Sequence, residues 1–320
     1  MKKLKAEKRV CNDIRGDEMK KLAKTTIDQI EKVFDVPTGY RRAHARGKSY
    51  KARFIANGSA SHLTVAPHFQ KGETAAFVRF SHFSPDPTWA DAMSPVKGMA
   101  VQFLLPDGEM TNIVGVTSPV FFAKTPEIFS EMLGVVKSFK KGKPSLKELV
   151  SLLADYPESG AMLNNIRKMQ APSSFSTGQY HSIHAFYLIS QQSQKQPIKY
   201  LWEPENGVET LSPLDAIALP VGFFEADMED RIAKGPVKFQ LDVIIGQSED
   251  PTDDPTKEWP KTRERLTVGY LEITEKAPEA EGILFDPTVM TAGLECSEDR
   301  ILNFRHHAYE ISHQRRMSET

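Results

Sequence analysis

From Tyr50 to about Gly115 the chain runs as short stretches rich in Val, Phe, Ile and Thr, cut by the turn signals Asn57-Gly58, Lys71-Gly72 and Asp107-Gly108. This alternation predicts antiparallel strands. Strand-like segments return at 181–190 and 197–203, and again at Val237–Ile245 and Arg265–Thr274. Between the early and late strands lies a helical stretch, with candidate helices near 126–139, 145–155 and 159–169. Strands on both sides of a helical insert imply one sheet built from two separated parts of the sequence, closed into a barrel. The predicted fold class is α+β.

Helices flank these strands. Met19, Leu22, Ile27, Ile30, Val33 and Phe34 recur at helical spacing, which predicts an amphipathic helix over Asp17–Phe34. Pro37-Thr38-Gly39 ends it. A helix near 222–233 precedes the last strands, and a final helix spans roughly 299–317. The acidic, proline-bearing loop Gln247–Lys261 suits an exposed excursion. No long linker and no internal repeat divides the chain. The expected organisation is a basic tail over 1–16 and one domain over 17–320.

A formal net charge of −1 argues against a nucleic-acid binder held by phosphate neutralisation. No segment has the apolar length of a membrane span. The basic N-terminal stretch lacks the apolar run of a secretory signal, so a cytoplasmic location is expected. The two cysteines, Cys11 and Cys296, lie far apart in sequence and make neither a disulfide framework nor a metal pair. A reducing compartment fits that usage.

Near the C-terminus, Arg305, Tyr309, His313 and Arg316 are spaced by four, four and three residues. On a helix they share one face, which places a phenol between two arginines and a histidine. A guanidinium one turn away favours the anionic form of a phenol. A phenolate is a hard anionic ligand, and ferric haem is its obvious metal partner. A solvated basic helix with one interfacial tyrosine is the plainer alternative.

Other motifs decide between them. Arg41-Arg42-Ala43-His44-Ala45-Arg46-Gly47 is followed by Val78-Arg79-Phe80-Ser81 and by Val114-Gly115-Val116-Thr117-Ser118-Pro119-Val120-Phe121-Phe122. Asp254 to Pro260, Gly269 to Leu271 and Phe285-Asp286-Pro287 come next. With Arg305 and Tyr309, these resemble the haem catalase superfamily in order and approximate spacing, over roughly residues 35–317. The short branch of catalase-related peroxidases, or mini-catalases, is the nearest in kind.

The resemblance implies an eight-stranded antiparallel β-barrel with helical additions, holding haem b. It implies Tyr309 as the axial iron ligand and Arg305 as the charge that keeps it deprotonated. His44 would be the catalytic group, moving a proton during peroxide cleavage to a ferryl haem, with Ser81 fixing its ring. Arg41, Arg79 and Arg316 match propionate arginines, and His313 a histidine near the same edge. Phe122 and Phe129 match phenylalanines that pack on the haem. Arg42, Arg46 and Arg315 are expected to be solvated. The C-terminal elements of full-length catalases are missing, so NADPH is not expected.

One departure bears on activity. Haem catalases carry an asparagine where this chain has Val116, and a valine cannot donate a hydrogen bond. Thr117 could substitute in part. The expectation is therefore a peroxidase that reduces organic hydroperoxides or hydrogen peroxide using an unknown electron donor, with weak catalase activity. Rearrangement of lipid hydroperoxides, as in allene oxide synthases, and non-catalytic haem binding or sensing are the alternatives. Oligomerisation is left open. The segment from Ser81 to Lys97, with Trp89 and Asp91, also departs from the catalase pattern. His181-Ser-Ile-His184 has metal-compatible spacing without a completing cluster. The acidic residues Glu249, Asp250, Asp253 and Asp254 lack the calcium-loop pattern and are expected to be solvated.

Overall fold

The computed structural model describes residues 16–91, 94, 96–140 and 170–319. Its centre is a closed antiparallel barrel. Strands β1 (Gly47–Ala56), β2 (Gly72–His82), β3 (Lys97–Leu104) and β4 (Met110–Val116) form a meander from the first part of the chain. After the helical insert come β5 (Tyr180–His181), β6 (Phe186–Ile189), β7 (Lys195–Pro204), β8 (Val237–Ile245) and β9 (Arg265–Lys276). The short pairing of Val116 with His181 joins β4 to β5. On the other side β9 pairs with β1, and β7 with β8, so eight strands close on themselves. The remaining two, β6 and β10 (Leu294–Cys296), extend the sheet beyond β7. Closure removes both open edges, which is why these strands need no charged residues to block pairing.

The barrel interior is filled rather than hollow. Tyr50, Phe54, Phe80, Phe103, Trp202 and Phe239 are all buried, and Phe54 meets Phe103 edge-on at 5.3 Å between ring centres. Alternation along each strand then sends the neighbouring residues outward. On β2 the interior takes Val78, Phe80 and His82, leaving Arg79 and Ser81 for the outer face.

Three helices cover that outer face: α1 (Gly16–Phe34), α2 (Pro126–Lys140) and α5 (Arg300–Ser318). Ala23, Ile27 and Ile30 of α1 pack with Leu133, Phe304 and Ile311. Two further helices, α3 (Pro213–Ala218) and α4 (Phe223–Lys234), sit elsewhere in the second half. The expected strand at 181–190 is broken into β5 and β6, and β10 and α3 were not foreseen. The candidate helices 145–155 and 159–169 lie outside the described residues, as do residues 1–15 of the expected tail, whose last residue, Gly16, begins α1. Cys296 is disulfide-bonded, against the expectation, while Cys11 lies outside the described residues. Cysteine usage therefore gives no argument for a reducing compartment. No described helix is long and apolar enough to cross a membrane.

Candidate active site

A cavity lies between the outer face of the barrel and helices α1, α2 and α5. His44 is presented to it by the segment leading into β1. Its backbone takes φ 54°, a left-handed conformation that costs a non-glycine residue about 1–3 kcal/mol. Two backbone bonds hold it there, from His44 N–H to Phe83 O (3.3 Å) and from Ala45 N–H to Ser84 O (3.0 Å). The ring's Nδ1 is 2.9 Å from Ser81 Oγ, and Phe83 meets the ring edge-on at 5.2 Å.

Two glycines make that placement sterically available. A Cβ on Gly98 would lie 2.8 Å from His44 Nδ1 and 2.9 Å from Ser81 Oγ. A Cβ on Gly47 would lie 2.2 Å from the Phe80 carbonyl. Burial, then Arg79, Arg305 and Arg41, push the His44 pKa down to about 3. The imidazole is therefore neutral near pH 7. With Nδ1–H donating to Ser81, the Nε2 lone pair is free to act as a base.

A second wall is α5. Asp299 caps it: one carboxylate oxygen accepts from Ile301 N–H (2.8 Å) and Leu302 N–H (3.3 Å). The other oxygen is 2.6 Å from His184 Nδ1. His184 Nε2 is 3.0 Å from an Arg305 terminal nitrogen, and the other terminal nitrogen donates to Tyr309 Oη at 2.6 Å. Arginine can only donate, so His184 must accept at Nε2 and carry its proton at Nδ1, facing Asp299. Burial lowers the His184 pKa, with Asp299 opposing, which fits that neutral form. The helical spacing of Arg305 and Tyr309 revealed half of this chain of contacts. His184 and Asp299 were missed. In the sequence His184 offers only a metal-compatible spacing to His181, and no local pattern tells that a residue in the bend between β5 and β6 will reach a helix cap 115 positions away.

At a third edge, Arg41, Arg79 and Arg316 converge on the turn at Glu281. Arg41 donates to the carbonyls of Glu281 (2.9 Å) and Ile283 (3.0 Å), and Arg316 to those of Glu281 (3.0 Å) and Gly282 (3.2 Å). His313 Nε2 is 3.0 Å from the Gly282 carbonyl. Burial lowers the pKa of all three arginines, and mutual repulsion adds to this in Arg41. The buried Nε of Arg316 has no hydrogen-bond partner among the described residues.

Apart from Arg42 and Ser312, the remaining lining is apolar and includes Ile27, Ile30, Met99, Val116, Phe129 and Phe304. Phe121, not Phe122, faces the cavity. Phe122 packs one layer back, against Phe121, Phe129 and Phe83. In an irregular segment after a strand, residue spacing does not determine which of two adjacent rings turns inward. Val116 is buried at the cavity wall. Thr117 does not line the cavity, and its hydroxyl accepts the Lys97 N–H at 3.0 Å.

Three arginines expected in solvent are paired instead. Arg42 binds Glu31 and Glu319, Arg315 binds Asp28 and Glu31, and Arg46 binds Asp91 and Glu225. The cause is packing of the acidic face of α1 against α5 and of α4 against the barrel end. Asp91 is buried and also accepts the Gly222 and Phe224 N–H groups at the start of α4. In the acidic loop, Asp250 pairs with Arg263 and Asp254 with Lys124, and both carboxylates are buried rather than solvated.

Closed barrel, tyrosine-bearing helix and histidine–serine wall together define a haem-catalase type of architecture, and comparison with known proteins bears this out. The profile of the catalase family matches residues 24–320, and the chain belongs to that family. A catalase-related peroxidase of Synechococcus elongatus is 30% identical over 295 residues, covering 91% of this chain and 87% of that protein. A catalase-related peroxidase of Mycolicibacterium paratuberculosis is 33% identical over 291 residues, covering 89% and 92%. A fungal catalase structure superposes with a TM-score of 0.77 at 20% identity, covering 91% of this chain and 62% of the fungal one. The match thus covers most of both catalase-related peroxidases and under two thirds of the fungal catalase chain.

Proposed function

We propose that this chain is a haem-dependent peroxidase that reduces organic hydroperoxides and hydrogen peroxide, with weak catalase activity. The observation that supports it most is one cavity shared by a neutral, serine-anchored histidine and a tyrosine bonded to arginine. These residues fit haem b. Tyr309 offers a phenolate to iron, stabilised by the Arg305 guanidinium. Arg41, Arg79 and Arg316 offer cations to two propionates, and the unpartnered Arg316 Nε is a donor awaiting an acceptor. Apolar side chains suit the faces of a porphyrin. When bound, haem would supply the two electrons that cleave the O–O bond.

The chain's own part is proton movement. His44 Nε2 would take the proton of the hydroperoxide O–OH group and return it to the departing oxygen, so that the O–O bond breaks with release of alcohol or water. Ser81 holds the orientation of the ring, and with Nδ1–H donating to it Nε2 is free for both transfers. Two electrons from an external donor, with two protons, would then release the remaining oxygen as water. Val116 offers no hydrogen bond to orient a second hydrogen peroxide as reductant, and Thr117 does not line the cavity. That favours an organic donor over peroxide disproportionation, and the relatives named for peroxidase activity point the same way.

The test is a donor-dependent assay on the haem-loaded protein, with oxygen release followed in parallel. Cumene hydroperoxide should drive donor oxidation, while hydrogen peroxide alone should release oxygen slowly. Hydroperoxide loss without any donor would indicate rearrangement instead. An optical spectrum unmoved by peroxide would indicate a non-catalytic haem protein.

A further inference from the structure

The carboxylate of Glu281 sits among the cavity arginines and has no part in the chemistry above. Its Oε1 accepts the Ser49 N–H at 2.7 Å, and its Oε2 lies 3.5 Å from Arg79 Nε and 3.8 Å from Arg41 Nη1. The arginine side chains are 4% and 18% exposed, whereas that of Glu281 is 40% exposed. Three cations crowded in one wall would repel one another and lose solvation if nothing compensated them. The 281–283 turn answers both problems, with carbonyls as acceptors and one carboxylate as counter-charge. Neighbouring Gly282 has open space around it, so the turn has room to adjust.

We infer that Glu281 is an internal carboxylate that serves as counter-charge to the arginine triad, through its contacts with Arg79 and Arg41, and opposes the binding of an external carboxylate ligand there. The ligand class is a planar porphyrin bearing free carboxylates, so the inference rests on the haem reading above. Three arginines and one glutamate leave two positive charges, which is the count that a dicarboxylate neutralises. The same charge that supports the arginine wall must then weaken the attraction for the ligand. A unit charge several ångströms away in a half-exposed site changes affinity by roughly threefold to tenfold.

Glu281→Gln tests this, because the amide oxygen can keep the Ser49 bond while the charge is lost. Ligand-free wild type and variant are each titrated with ferric haem and with its dimethyl ester, whose propionates are blocked. Thermal unfolding of both ligand-free proteins is measured alongside. Three results together are expected: a lower unfolding midpoint for the ligand-free variant, roughly threefold to tenfold tighter haem binding, and unchanged affinity for the ester. The opposite signs are the diagnostic feature. A merely structural Glu281 would lower stability and haem affinity together, and that result overturns the inference, as does an equal gain for haem and ester. If the variant is recovered folded only with haem present, the counter-charge role stands in its extreme form. If Glu281→Gln and Glu281→Ala fail to fold even with haem, the role is structural and the inference is wrong. Wild type that binds neither haem nor ester would instead refute the haem reading itself.

Discussion

Replacing Gly98 by alanine should disable the candidate site while leaving its named residues intact. Gly98 pairs with Ser81 on one side and Val116 on the other, so its backbone is pinned within the barrel. A new Cβ would lie 2.8 Å from both Cε1 and Nδ1 of His44 and 2.9 Å from Ser81 Oγ. Ordinary carbon contacts are about 3.5–4.0 Å, so the ring must retreat by on the order of 1 Å. That retreat stretches or breaks the 2.9 Å His44–Ser81 bond, since strand pairing prevents β3 from giving way. Misplacing a catalytic group by this much costs about 100-fold in rate. Overpacking of a dense wall adds a stability loss of roughly 1–3 kcal/mol. The assay is stopped-flow reaction of the haem-loaded variant with hydroperoxide, with haem content and thermal midpoint measured in parallel. Slow reaction at normal haem content is the expected outcome. A rate within a few-fold of wild type would refute the claim that the His44–Ser81 geometry controls reactivity.

Tyr309→Phe should cause haem loss or a changed ferric spectrum, because phenylalanine offers iron no anion; unchanged haem content and charge-transfer band would remove Tyr309 as ligand. Asp299→Ala should weaken the Tyr309–iron bond indirectly, since His184 loses its charged partner and α5 its cap, at a cost of about 1 kcal/mol in stability; equilibrium unfolding and the haem spectrum report the two effects separately. Val116→Asn should raise oxygen release from hydrogen peroxide, read on an oxygen electrode, at a stability cost of about 1–3 kcal/mol if the new amide is left unpaired. Finally, stability should fall as pH drops below about 6.5, the ordinary histidine value. Burial pushes the pKa values of His44 and His68 down to about 3 and of His181 to about 4, so between these values and 6.5 the unfolded chain binds more protons. The contribution is complete above 6.5 and is lost progressively on acidification, by up to about 1.4 kcal/mol per pH unit for each group. His68 has no hydrogen-bond partner among the described residues and packs against Phe69 and Phe103, so His68→Phe should flatten the acid limb of denaturant midpoints.

Local periodicity made much of this protein legible in its sequence. The strand at Val237–Ile245 appears with its expected limits, and the amphipathic pattern of Asp17–Phe34 forms a helix only one residue longer. Arg305 and Tyr309 meet at 2.6 Å because their spacing is set by the helix itself. The segment carrying His44 was found through its motif, and its partner Ser81 through a second motif on β2. Each of these features is encoded within a few neighbouring residues, or in a family pattern written along the chain.

What the sequence could not disclose depends on which distant segments meet. Closure of the barrel rests on pairings between β1 and β9 and between β7 and β8, which follow from the volume of the aromatic interior. Only the folded chain brings His184 to Asp299, Glu281 among the arginines, and Gly98 against the His44 ring. It also turns Phe121 inward in place of Phe122, and buries Arg42 between Glu31 and Glu319. Hydrogen bonding and hydrophobic periodicity act over one helical turn or one strand pair, so sequence alone could determine the elements and the residues they carry. Charge compensation and close packing act between whatever surfaces are brought into contact, and those surfaces exist only after the barrel has closed and the helices have docked on it.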